Sequence, residues 1–131
     1  MERKIINPWT WQDELGFVQA NQVSGVQRSL ICSGQTSVDD DGAPVNAGDM
    51  GAQIGKALDN LETVLNGAGF KLSDVMRLNY YTTDVDGFME AAEVLGRRLG
   101  EANCRAASTL LGVTRLAFPE LLVEIEATAE A

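Results

Sequence analysis

The sequence predicts an α+β fold in which one mixed β-sheet carries two helices on one of its faces. Three observations support this prediction: a length of 131 residues, two segments with helical periodicity, and strand-like segments before, between and after them. The length suits one domain spanning residues 1–131 and is too short for two independent cores. No stretch resembles a linker, a repeat or a low-complexity tract, so the whole chain is expected to form that domain.

The predicted sheet opens with a hairpin-like pair of extended segments. Val26 to Ser33 reads as a strand, and the turn signal Asp39-Asp40-Asp41-Gly42 follows it. A second short extended segment is expected around Pro44 and Val45.

The first helix is predicted to begin at Asp49, which is a suitable N-cap residue. Apolar residues then recur at spacings of four and three, until Gly67 and Gly69 interrupt the pattern. The apolar positions are Ile54, Leu58, Leu61, Leu65 and Ala68.

The second half of the chain predicts one further helix and three strands. Val75 to Thr83 alternates and is rich in aromatic residues, which favours a strand. An amphipathic helix is expected from Asp86 to Leu99, with Gly100 ending it. Two strands, Ala106 to Val113 and Leu121 to Ala129, complete the order ββαβαββ. Each helix then connects two strands, and both helices pack on the same face of the sheet.

The last predicted strand has two different sides. One side is an apolar row suited to packing against helices, and the other is partly charged. A half-apolar, half-charged sheet face is typical of a subunit interface that contains a cleft. The apolar row is Leu121, Val123, Ile125 and Ala127, and the opposite row is Leu122, Glu124, Glu126 and Thr128.

Charge and composition exclude or disfavour several functions. The formal net charge of −9 repels phosphate backbones, so nucleic acid is a poor partner. The chain has no histidine, which removes the usual acid/base group of ribonucleases and the commonest zinc ligand, so no metal site is expected. The N-terminus fits neither a signal peptide nor a membrane anchor, which predicts a cytoplasmic protein. Cys32 and Cys104 are expected to be reduced and buried.

Several short motifs occur together in one order along the chain. Cys32-Ser33-Gly34-Gln35-Thr36 ends a predicted strand, Arg105 opens a later one, and Val123-Glu124-Ile125-Glu126 lies in the last. With these motifs the chain resembles the RidA (YjgF/YER057c/UK114) family of reactive imine and enamine deaminases. The resemblance implies a chorismate-mutase-like fold and a homotrimer with active sites in the clefts between subunits. It also implies a small carboxylate substrate and no cofactor.

The resemblance further implies which residues act on the substrate. Arg105 matches the signature arginine, and a planar guanidinium can hold the carboxylate of a 2-imino acid through two parallel hydrogen bonds. Glu124 matches the glutamate near the attacking water, which it could orient or deprotonate. A carboxylate close to Arg105 should have a lowered pKa, which favours orientation of the water.

Four positions match the substrate-binding positions of the family. Ser33 and Gly34 match a strand end whose backbone approaches the ligand, and Ala107 retains a backbone donor where the family often has cysteine. Phe17 stands where the deaminases typically have tyrosine. Two more residues depart from the family pattern, since Ala92 replaces an asparagine and Asn103 replaces a proline.

The resemblance therefore predicts hydrolysis of 2-imino or 2-enamino acids to 2-oxo acids and ammonia. Because of Phe17 and the other departures, a bulkier or aromatic-pathway enamine is an alternative substrate. A non-catalytic trimer that binds a small carboxylate is a second alternative. Endoribonuclease activity, a label that some family members carry, is disfavoured by the negative charge.

Overall fold

The computed structural model describes residues 1–131 and has the predicted α+β architecture, with one main mixed sheet and its helices. The strands are β1 (Glu2–Ile6), β2 (Ala20–Ser24), β3 (Ser29–Ile31), β4 (Gln35–Thr36), β5 (Val75–Thr82), β6 (Ala107–Gly112) and β7 (Val123–Glu130). The helices are α1 (Met50–Gly67), α2 (Val85–Glu90) and α3 (Ala92–Glu101). None of these helices is both long and apolar enough to cross a lipid bilayer.

The main sheet contains five strands in the order β3-β7-β5-β6, with β4 also pairing with β7. Strands β5 and β6 are parallel, and the other pairs are antiparallel, so the sheet is mixed as predicted. From β3 onward the element order is the predicted ββαβαββ, except that two helices, α2 and α3, stand where one was expected.

The helices cover one face of this sheet and form one hydrophobic core with it. Leu121, Val123, Ile125 and Ala127 are all buried, which confirms the predicted apolar row. Val123, Ile125 and Ala127 belong to the same buried layer as the periodic residues of α1, because inward-facing strand residues meet the apolar stripe of the helix. The N-cap prediction is also confirmed, since the Asp49 side chain accepts a hydrogen bond from the Ala52 N–H at 3.0 Å.

The other face of the sheet is not covered by the chain. Arg77 on β5 is exposed, and Ile31 on β3 is 83% exposed although it is a large apolar residue. The opposing residues on β7 are only partly buried. We call this surface, formed by the outward residues of β3 to β7, the open face.

The N-terminal region differs most from the sequence prediction. Strands β1 and β2 form a separate antiparallel pair that was not expected. The predicted strand from Val26 to Ser33 is wrong in its first half, because Gly25 adopts a left-handed φ of +65° and only Ser29–Ile31 pairs with β7. The extended segment predicted at Pro44 and Val45 is reduced to a single bridge between Val38 and Pro44.

The second predicted helix also differs. It begins at Val85 rather than at Asp86, and its N-cap is Asp84, whose side chain accepts a hydrogen bond from the Gly87 N–H at 3.0 Å. The helix is interrupted at Ala91, which caps α2 and precedes α3. Ala92 lines a cleft, described below, together with residues of β6 and of the segment at residues 13–17.

Candidate functional site

Arg105 lies in the segment that leads into β6, and its backbone is held by the β1-β2 hairpin. The Arg105 carbonyl accepts hydrogen bonds from the Arg3 guanidinium and from Asn21 Nδ2, the latter at 3.0 Å. Arg3 Nε in turn donates to Asn21 Oδ1 at 2.9 Å. The two side chains therefore hold each other as well as the Arg105 carbonyl, and we call this arrangement the hairpin clamp.

The Arg105 side chain is exposed and has no partner of its own. It makes no ion pair or hydrogen bond within the chain, where the only ion pairs join Arg98 to Asp59 and Glu62. Burial lowers the pKa of the Arg3 guanidinium, and the nearby positive charge of Arg105 contributes to the same lowering. The Arg3 guanidinium is occupied by hydrogen bonds to Asn21 Oδ1 and to the carbonyls of Ser73 and Arg105, so Arg105 is the free cation of the two. A guanidinium without an internal partner suits the binding of an external anion.

Glu124 lies near the opposite end of the open face and packs against Gly34. A Cβ built on Gly34 would lie only 2.6 Å from Glu124 Cδ and 2.7 Å from its Cγ, so glycine is required there for this carboxylate position. Burial raises the pKa of Glu124, and the neighbouring charge of Glu126 raises it further. The expectation of a lowered pKa is wrong for the single chain, because no cation lies beside this carboxylate.

Glu126 differs from Glu124 although it projects from the same side of β7. Its Oε1 accepts hydrogen bonds from Asn79 Nδ2 at 2.9 Å and from the Tyr81 hydroxyl at 2.8 Å. These two hydrogen bonds lower the pKa of Glu126. Glu126 is therefore engaged in hydrogen bonds within the chain, whereas the carboxylate of Glu124 accepts none. This supports Glu124 over Glu126 as the reactive group.

The predicted site residues fall into two separate groups in one chain. Ser33, Gly34 and Glu124 lie where β4 begins to pair with β7. Ala107, at the start of β6, is in register with Arg77 and through it with Thr128. Thr128 is four residues from Glu124, which is roughly 13 Å along an extended strand, and two strand spacings add to that distance. The chain therefore does not bring Arg105 and Glu124 together.

Phe17 and Ala107 lie on different sides of β6. Ala107 lines a small pocket of about 370 Å³ on the open face, together with Arg77 and Thr128. Phe17 contacts Trp11 edge to face, with ring centroids 5.9 Å apart, and lines a larger cleft of about 950 Å³ on the helix side. The backbone joins the two regions, because the Val18 N–H donates to the Ala106 carbonyl at 3.1 Å.

Comparisons with known proteins agree with this architecture. The family model described as endoribonuclease L-PSP matches residues 14–131. YyfB from Yersinia pestis, a protein of unknown function of the conserved Rid protein family, is 36% identical with a TM-score of 0.87, and all of both chains is covered. The chain belongs to the Rid/YjgF/UK114 family.

Other Rid relatives are more distant. A RutC family protein of Pyrococcus horikoshii is 32% identical over 76% of this chain and 77% of its own length. The YjgF gene product of Escherichia coli is 27% identical over 86% of each chain, with a TM-score of 0.72. A structure described as a putative endoribonuclease from Thermotoga maritima is 31% identical over 87% of this chain and 85% of its own, with a TM-score of 0.70.

Sequence reasoning missed the residues that hold the backbone of Arg105. Arg3 and Asn21 lie 102 and 84 residues away from Arg105, and no local pattern connects them to it. The sequence around Arg3 gives no strand signal either, because three charged residues are followed by two isoleucines without alternation. No group of three His, Cys, Asp or Glu side chains lies close enough together to hold a metal ion.

Proposed function

We propose that this Rid-family protein hydrolyses 2-imino and 2-enamino acids to 2-oxo acids and ammonia, without a metal or an organic cofactor. The observation that carries the proposal is the distribution of free and engaged charges around the open face. The backbone of Arg105 is held by the hairpin clamp, and its guanidinium forms no ion pair within the chain. The carboxylate of Glu124 is half-buried and has a raised pKa. The neighbouring carboxylate, Glu126, is occupied by two hydrogen bonds.

The proposed reaction uses both free charges. Arg105 binds the substrate carboxylate through two charge-assisted hydrogen bonds, which fixes the position of the imine carbon. An enamine first tautomerises to the imine. Water held by Glu124 then attacks the imine carbon as one of its protons passes through the carboxylate to the imine nitrogen, which gives a tetrahedral adduct that carries a hydroxyl and an amino group. The proton of that hydroxyl passes by the same carboxylate to the nitrogen as the C=O bond forms and the C–N bond breaks. The products are the 2-oxo acid and ammonia.

In the single chain, the raised pKa of Glu124 supports proton transfer by this carboxylate. A carboxylate whose pKa lies closer to neutrality is a better base at the pH of a cell. Where the Arg105 of another copy lies close to Glu124, its charge lowers the pKa of the carboxylate and favours orientation of the water.

A complete site requires a second copy of the chain. Because Arg105 and Glu124 lie at different ends of one sheet, a substrate can contact both only where one copy presents Arg105 to the Glu124 of another. We propose that the open face forms this contact in a homotrimer. The exposure of Ile31 at 83% supports an interface, because covering a large apolar side chain with a second copy removes it from water and so stabilises the assembly.

The description of the family model favours a second candidate function, endoribonuclease activity. The net charge of −9 and the absence of histidine argue against it. A single-stranded RNA substrate should therefore be included in the assay as a competing reaction.

The deciding experiment is a stopped spectroscopic assay on freshly generated 2-aminoacrylate, with sedimentation measured on the same sample. We expect ammonia release above the spontaneous rate, no RNA cleavage, and a particle of three chains. Turnover that Arg105→Ala does not affect would overturn the mechanism. A catalytically active monomer would overturn the shared site.

A further inference from the structure

A tyrosine on the open face lies directly opposite the candidate base. In the register of β5 and β7, Tyr81 is paired with Glu124, and Asn79 is paired with Glu126. The Cβ atoms of directly opposite residues on antiparallel strands are roughly 4.5–5.5 Å apart. From the register alone, the Tyr81 hydroxyl is therefore expected to serve Glu124.

The Tyr81 hydroxyl donates to the other glutamate instead. It crosses diagonally to Glu126 Oε1 at 2.8 Å, and Asn79 Nδ2 donates to the same oxygen at 2.9 Å. Thr36 of β4 lies directly opposite Glu124 on its other side, and it does not donate to this carboxylate either. Glu126 therefore takes up the hydroxyl that β5 would otherwise present to Glu124.

The orientation of the Asn79 amide indicates that Glu126 organises this group of side chains. Asn79 Oδ1 is buried and has no hydrogen-bond partner. The amide turns its NH₂ group to Glu126 although its oxygen is then left unpaired, because the reverse orientation would place two acceptors against each other. The hydrogen bonds from Asn79 and Tyr81 also lower the pKa of Glu126, which favours its ionised, acceptor-only form.

Few charged groups face Glu124 from the elements around it. Glu126 lies on the same strand, Tyr81 and Arg77 lie on β5, and β4 carries no titratable residue. Arg77 donates its hydrogen bond to β6, on the side away from β7. In the proposed trimer, the Arg105 of another copy adds one cation. Within the chain, the place of the Tyr81 hydroxyl is therefore the main influence on Glu124 that a change in hydrogen bonding could alter.

We propose that Glu126 is a positioning residue of the candidate site, which holds the Tyr81 hydroxyl away from Glu124 and so leaves the Glu124 carboxylate free to bind and deprotonate water. This inference rests on the proposed function. Without Glu126, the hydroxyl is free to turn to the carboxylate directly opposite it. There it would occupy the position that water needs and make the carboxylate a weaker base.

The test is a double-mutant cycle on the two partners. Glu126→Ala removes the acceptor, Tyr81→Phe removes the hydroxyl, and the double variant removes both. Glu101→Ala is the control for loss of one negative charge, because Glu101 is exposed at the end of α3 on the helix side of the sheet. The kcat/KM for 2-iminopropanoate is measured across pH, and urea unfolding and sedimentation establish that each variant folds and assembles.

We expect Glu126→Ala to lose about tenfold in kcat/KM at neutral pH, with the acidic limb of its profile moved to lower pH. Tyr81→Phe and Glu101→Ala should stay within about twofold of wild type. The double variant should recover most of the activity that Glu126→Ala loses, because the interfering hydroxyl is gone. A double variant as slow as Glu126→Ala, or an unimpaired Glu126→Ala, would overturn the inference while the deaminase function stands.

A titration separates the two proposals if the wild-type protein hydrolyses no imine. Carbon NMR of protein labelled at its glutamate carboxyl groups measures the pKa of Glu124, whose signal is assigned by its loss in Glu124→Gln. The pKa of Glu124 should be lower in Glu126→Ala than in the double variant, since only the former has a hydroxyl to donate. That result would support the positioning role even where the deaminase is rejected, and equal pKa values would reject the positioning role.

Discussion

The two faces of the main sheet are made by the same strands and have different surroundings, since only one of them is covered by the helices. On β7, Val123, Ile125 and Ala127 are buried under the helices, and the residues between them, including Glu124 and Glu126, lie on the open face. Because a strand alternates its side chains with a period of two, a single segment can support the fold and carry the candidate chemistry independently. Substitutions on the covered face should therefore affect stability, and those on the open face should affect activity or assembly.

The largest expected effect comes from a matched pair of isoleucines on the two faces. Ile125→Ala removes a fully buried side chain and should lower the free energy of unfolding by about 2–5 kcal/mol in urea titrations. Ile31→Ala, at a position 83% exposed, should act mainly on association, so its effect should depend on chain concentration. A large, concentration-independent loss for Ile31→Ala would contradict the assignment of the open face as an interface.

Arg105→Ala should reduce kcat/KM by about 100-fold or more, because it removes both charge-assisted hydrogen bonds to the substrate carboxylate. Arg105→Lys keeps the charge without the planar fork and should lose about 10- to 150-fold. Steady-state kinetics on 2-iminopropanoate measures both. Lys56→Ala removes a cation from α1 and is the control for net charge. Unchanged thermal stability in the Arg105 variants would assign the loss to function.

Gly34→Ala should reduce kcat/KM by about tenfold or more with little loss of stability. The new Cβ would overlap the Glu124 side chain, which is flexible at its end and would move away without disturbing the backbone. A double-mutant cycle with Glu124→Gln tests this explanation, since the two losses should not add. Gly67→Ala, where a Cβ meets nothing, is the control. Additive losses would mean that Gly34 acts through its own backbone.

Phe17→Tyr should give a smaller effect of the opposite sign on small substrates. A neutral hydrogen bond contributes about 0.5–1.5 kcal/mol, so kcat/KM for 2-iminopropanoate should rise roughly 2- to 10-fold. A substrate with a bulky apolar side chain should gain little or lose. Identical effects on both substrates would place Phe17 outside the region that contacts the substrate.

The smallest expected effect is a displacement of the acidic limb of the pH–rate profile. Because burial raises the pKa of Glu124, activity should fall with decreasing pH above the range of an ordinary glutamate. The contributions to stability have opposite signs. The stability that Glu124 contributes is present below its unfolded pKa and is lost as pH rises through its raised folded pKa. The stability that Glu126 contributes is present above its unfolded pKa and is lost as pH falls through its lowered folded pKa. Profiles of Glu124→Gln and Glu126→Gln measure the two contributions separately.

The sequence predicts the covered face better than the open one. Helix α1 and strand β7 have regular apolar periodicity, and both were located to within a few residues. Local helix propensity gives no signal for the interruption at Ala91, because alanine itself favours helix. Strand β1 was missed because five residues followed closely by a proline give too short a pattern to distinguish from a terminal extension.

The site could be predicted only in part for a related reason. Motif matching locates Arg105 and Glu124 along the chain, but the distance between them follows from strand order and register, which a single sequence does not specify. The steric relation between Gly34 and Glu124 likewise depends on how β4 pairs with β7.

The hairpin clamp has a practical consequence for anyone who shortens or tags this protein. Arg3 belongs to the first strand, yet it holds the carbonyl of Arg105 through a hydrogen bond that spans most of the chain. A truncation that begins after Ile6 would leave every matched family residue in the sequence and still release the segment that presents the arginine. Such a preparation would look complete by mass and by motif, and its low activity would wrongly be assigned to the choice of substrate.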